Sequence, residues 1–94
     1  MSLSAFEKRW QSAVHSVEYC VRCTAYGVQW SHRNEGKGMG LKTDPWMTAA
    51  LCPTCHAEID NGKGMSLHER RAEMDRAIVL THDRLIRDGR LVLK

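Results

Sequence analysis

No run in this 94-residue chain approaches the roughly 18 consecutive apolar residues of a membrane span, although 43% of its residues are hydrophobic. The opening stretch MSLSAFEKRW lacks the apolar core of a secretion signal. Membrane insertion and export are therefore not expected, and a soluble cytoplasmic protein is. Charge of neither sign dominates: the formal net charge is +3, which permits nucleic-acid binding without arguing for it. The Gly-rich stretch around Gly36, Gly38 and Gly40 contains no Gly-Lys-Ser/Thr and no Gly-x-Gly-x-x-Gly after a strand, which excludes a nucleotide cradle. No internal repeat and no linker interrupts the chain. One domain over residues 1–94 is expected, small enough to bury a modest core and to need a staple.

The staple is present as cysteine. Cys20-x-x-Cys23 and Cys52-x-x-Cys55 are separated by 28 residues. In a chain without an export signal, two such pairs read as one tetrahedral zinc site rather than as two disulfides. Four thiolates close the shell and leave no position for substrate, so this zinc is structural. Such a site contributes on the order of 10 kcal/mol to folding. The alternative reading is four free buried thiols. The long gap implies a folded unit between the two knuckles.

Local signals supply that unit and its flanks. Ser4-x-x-Glu7 and Ser66-x-x-Glu69 have the form of helix capping boxes. The first opens a short helix ending near Ser16. The second opens a long helix with Met74, Ile78 and Leu85 on one side and Gly89 near its stop. Tyr26 to His32 reads as a strand, Arg33 to Pro45 as a loop, and Trp46 to Leu51 as a second strand. Pro53 suits the first turn of a helix running to about Asp60. The ending RLVLK reads as a short strand. The core of the domain is then about 17–62 and the C-terminal helix about 66–88.

A first Cys-x-x-Cys, a strand ending in His32, and a second Cys-x-x-Cys followed at once by His56 together resemble the zinc-stapled HNH endonucleases. These belong to the His-Me finger, or ββα-metal, group. The stretch SHRNEGKGMGLKTDPWMTAALCPTCHAEID looks closest to small phage and prophage nucleases and to the RecA-dependent, recombination-enhancing nuclease of phage. The likeness is strong over Tyr19 to Asp60 and weaker to the C-terminus. It implies an α+β fold: a ββα-metal core in a treble-clef-like, four-cysteine zinc staple, flanked by an N-terminal helix and a long C-terminal helix. It implies metal-dependent hydrolysis of DNA, with 5′-phosphate and 3′-hydroxyl products, and a recombinase filament as a partner. It casts His32 as the general base, since an imidazole of pKa near 6.5 can take a proton from water at neutral pH. It casts His56 as ligand to a catalytic cation, Mg²⁺ or Mn²⁺ or another divalent ion.

Other residues carry two readings each. Asp60 lies one helical turn after His56 and either shares that cation or is a turn residue at a solvated helix end. Asp44 resembles the aspartate of the phage subgroup; it binds the metal, caps the turn or orients His32. Arg33, Lys37 and Lys42 give the Gly-rich loop a positive bias, read as phosphate contacts against a solvated loop. Trp30 and Trp46 read as core, and His15, His68 and His82 as structural or surface residues. From Glu69 to Arg90 there are five acidic and six basic residues, so the last helix is no basic arm. It is expected to pack on the ββα unit or on a second copy. The chain departs from the family where Ser31 replaces a metal-binding Asp or His and Met47 replaces Asn. These departures support an alternative function: a zinc-stapled DNA- or protein-binding module without catalysis.

Overall fold

The structure, a computed structural model, describes residues 4–33, 44–62 and 64–91. Within them the chain is α+β, with three helices and one two-stranded antiparallel sheet: α1 (Ala5–His15), β1 (Gln29–His32), β2 (Thr48–Leu51), α2 (Pro53–Asn61) and α3 (Leu67–Arg87). Both capping boxes form. The Ser4 hydroxyl accepts from the Glu7 amide at 3.1 Å, and the Glu7 carboxylate accepts from the Ser4 amide at 3.2 Å. Ser66 and Glu69 repeat the exchange at 3.1 and 3.0 Å. Each box satisfies two N–H groups that a helix start otherwise leaves open.

A two-stranded hairpin is marginal alone, so its stability comes from what covers it. In the register Gln29 faces Leu51, Trp30 faces Ala50, Ser31 faces Ala49 and His32 faces Thr48. Side chains alternate between faces. Ala49 and Leu51 enter one apolar cluster with Ile59 of α2, Met74, Ala77 and Ile78 of α3, and Cys20, Cys52 and Cys55. Ala50 enters a second cluster with Val14, Val17 and Leu85, against which Trp10 and Trp30 pack. All four β2 residues are buried because helices lie on both faces. The outer edge of β2 is covered as well. The Ala50 amide donates to the Thr81 hydroxyl at 3.0 Å, and its carbonyl accepts from the Val21 amide at 3.1 Å.

Both strands are shorter than expected. Gly27 adopts φ +96, which turns the chain before β1. Tyr26 instead pairs across the first knuckle with Tyr19. At β2, the Met47 amide donates to the Asp44 carbonyl at 2.9 Å, and this turn delays the strand to Thr48. Trp46 is consequently not a core residue. It is 40% exposed and rests edge-on against Phe6 at 6.1 Å. Arg90 and Leu91 turn back onto the Leu85 carbonyl and form no strand, and 92–94 lie outside the described residues. α3 packs on β2 and α2, as expected for a helix with buried Met74, Ile78 and Leu85. Among the described residues, no helix is long and apolar enough to cross a membrane.

Candidate metal centre and adjoining cavity

The four cysteines come together. Their Sγ atoms all lie within 4.8 Å of one another, with Cys23 and Cys52 at 3.6 Å, and none is in a disulfide. A zinc tetrahedron with Zn–S bonds of about 2.3 Å has sulfur–sulfur edges of about 3.8 Å. The spacing therefore suits Zn²⁺. Two backbone amides already point at sulfur: Arg22 N–H to Cys20 Sγ and Cys55 N–H to Cys52 Sγ, both at 3.4 Å. Amides so placed stabilise thiolates. Cys52 is also the N-cap of α2, so one sulfur starts the helix and completes the cluster.

Charge balance argues the same way. Burial pushes the Cys55 thiol up to about 12. Burial acts in that direction at Cys20 too, but the amides of the two knuckles outweigh it and bring Cys20 down to about 7. Four thiolates this close repel, and a divalent cation reverses that balance. The knuckle is tied to the rest of the fold by Arg22, which pairs with Glu58 of α2 and with Glu73 of α3 at 3.2 Å. That anchor was not anticipated; Arg22 lies between the cysteines with nothing local to mark its distant partners.

His56 is turned away from this cluster. Cys55 is buried, and the next residue on the helix rotates to the half-buried side. His56 Nδ1 lies 2.7 Å from Gln29 Oε1, and its Nε2 lies 3.2 Å from Asp60 Oδ2. If Gln29 presents its carbonyl oxygen, Nδ1 carries the proton and the Nε2 lone pair faces the carboxylate. Such a pair can hold either a second proton or a divalent cation. Asp60 is thus a helix residue beside His56 and not a turn residue.

A cavity of about 100 Å³ adjoins this pair, lined by His32, Arg33, Asp60, Arg70, Arg71 and Asp75 over a floor of Ile59, Leu67 and Met74. His32 borders it at the end of β1, and its ring lies 4.4 Å from that of Trp30. The pleat sends His32 and Trp30 to one face of the hairpin and Gln29 and Ser31 to the other. Asp60, rather than His56, is the residue that shares the cavity with His32. Arg33 is not a solvated loop residue. Its guanidinium meets Asp75, Nε to Oδ1 at 3.0 Å. Asp44 is exposed in the turn before β2 and is not among the cavity residues. Lys37 and Lys42 lie outside the described residues. Ser31 is fully buried, and His82 serves structure, bonding the Trp46 carbonyl at 2.6 Å and meeting the Trp10 ring edge-on.

Arg70, Arg71 and Asp75 are the cavity residues that sequence reasoning missed. A signal existed: stepping back four and three residues from Met74 along its stripe lands on Arg70 and Arg71. Compared with known proteins, the chain matches no family model, no curated protein and no solved structure significantly.

Proposed function

We propose that the chain is a metal-dependent endonuclease of the ββα-metal kind, hydrolysing phosphodiester bonds in DNA. The observation that carries this reading is the position of Asp60. Its carboxylate meets His56 Nε2 at 3.2 Å, and the same residue lines the cavity that His32 borders. The order β1, β2, α2, with cysteine knuckles at both edges, agrees with that architecture. A structural zinc on Cys20, Cys23, Cys52 and Cys55 holds the hairpin against α2.

His56 and Asp60 would hold a Mg²⁺ or Mn²⁺ ion between them. Bound there, a divalent cation would supply positive charge to stabilise the phosphate undergoing hydrolysis. Gln29 fixes the His56 ring by accepting a hydrogen bond from its Nδ1–H. His32 takes the proton from the attacking water, and the Trp30 ring limits its rotation. By its resemblance to phage nucleases the chain acts in the cytoplasm of an infected or lysogenic cell, and a recombinase filament is a candidate partner.

A second reading keeps the zinc staple and drops the chemistry, leaving a DNA- or protein-binding module. Ser31 favours it: the position that carries a ligand in the resembled family here holds a fully buried hydroxyl. Plasmid nicking with Mg²⁺ or Mn²⁺ separates the two. His32→Ala is expected to slow nicking about 10²–10⁴-fold with cation affinity retained. His56→Ala is expected to weaken cation binding in calorimetry, with partial recovery at high Mn²⁺. No nicking by the wild type would return the chain to the binding-module reading, and variants that nick as it does would remove His32 and His56 from the mechanism.

A further inference from the structure

Two of the five arginines of α3, and one arginine of the cavity wall, are neutralised by carboxylates. Arg84 pairs with Asp88 at 3.1 Å and Arg87 with Asp83 at 2.8 Å, and Arg33 of the cavity wall pairs with Asp75 of α3. Arg70 and Arg71 differ. Among the described residues Arg70 has no carboxylate partner; its Nη1 donates to the Asp60 main-chain carbonyl at 2.8 Å, and its Nε is buried without an acceptor. Arg71 is exposed and has no hydrogen-bond or ion-pair partner among the described residues. Both line the cavity. Its remaining carboxylate, on Asp60, is shared with His56. The cavity is therefore cationic, with Ile59, Leu67 and Met74 as its apolar lining.

The cavity, of about 100 Å³, has room for a phosphate group. Guanidinium forks suit phosphate oxygens, which accept paired N–H bonds. We propose that Arg70 and Arg71 form a seat for one phosphate group, supplied by the DNA backbone next to the phosphate being cleaved. The assignment to DNA rests on the nuclease reading; the seat itself does not. Arg71 makes the contact. Arg70 is a positioning residue as well, because it crosses Gly62 to hold the end of α2, where Asp60 sits.

The test has two arms, both free of cleavage. In the first, inorganic phosphate is titrated without added divalent cation and followed by NMR at the arginine side chains. Saturable shifts at Arg70 and Arg71 are expected, with affinity reduced about tenfold in Arg71→Gln and partly kept in Arg71→Lys. In the second, DNA binding is measured over a salt series in a His32→Ala background. Adding Arg71→Gln should lower the log–log salt slope by roughly 0.9. No saturable shift in the wild type, or equal affinity in Arg71→Gln, overturns the seat. Phosphate binding with an unchanged DNA slope overturns the backbone assignment and leaves a site for free or terminal phosphate. Absent nicking with both arms positive overturns hydrolysis and leaves the seat standing.

Discussion

At the scale of single residues, left-handed backbone is occupied by a glycine at the end of α2 and by a threonine at the first knuckle. Gly62 ends α2 at φ +65, and a Cβ there would lie 2.5 Å from Arg70 Cδ and Nε. Gly62→Ala should cost about 1–2 kcal/mol from the left-handed backbone and also push Arg70 off the Asp60 carbonyl. Denaturant unfolding measures the first effect, and loss of phosphate-dependent shifts at Arg70 reports the second. Thr24 is the converse case. It closes the first knuckle at φ +68, with its amide donating to the Cys20 carbonyl at 2.8 Å. Thr24→Gly should stabilise the zinc-loaded protein by up to about 1 kcal/mol, since glycine adopts this conformation without the Cβ clash. A lower unfolding midpoint in that variant would show that the threonine hydroxyl, which bonds the Cys23 carbonyl, matters more than the strain.

At the scale of elements, the hairpin depends on side chains that finish its edge. Thr81 is fully buried in α3, donates to the Ala77 carbonyl at 2.8 Å and accepts from the Ala50 amide at 3.0 Å. Thr81→Val keeps the shape and leaves that buried amide without an acceptor. A loss of roughly 1–3 kcal/mol is expected in chemical unfolding, whereas Thr81→Ser, which keeps the hydroxyl, should lose less. Equal losses in the two variants would assign the effect to packing of the methyl group.

At the scale of the whole molecule, the cysteines are both candidate zinc ligands and core. Cys20, Cys52 and Cys55 belong to the cluster that joins β2 to α2 and α3, and Val21 and Val28 pack against both clusters. Chelation at neutral pH is expected to release one zinc per chain and to unfold the protein in a single transition. Far-UV circular dichroism and the fluorescence of Trp10 and Trp30, which pack on the second cluster, should change together. Native tryptophan emission persisting after helix loss would show that the second cluster survives alone.

Some features were settled by the chain alone because their causes are local. Each capping box lies within four residues, the Cys-x-x-Cys pairs bring their own knuckles, and the Met74, Ile78, Leu85 stripe follows helical periodicity. The separation of His56 from the four cysteines was expected from the resemblance to HNH nucleases, and in the structure His56 meets Gln29 and Asp60 instead. What tertiary structure decided involves partners far apart in sequence. Arg33 loses its loop character to Asp75, 42 residues on, and Arg22 finds Glu73, 51 residues on. Trp46 reads as core by its apolar neighbours, yet the turn at Asp44 to Met47 carries it to the surface. Arg70 and Arg71 look like ordinary charges on a mixed helix, and only the packing of α3 beside Asp60 and His32 makes them walls of one cavity. Local hydrogen bonds and periodicity act over one or two turns, whereas the charge of a site is the sum over residues that folding alone brings together.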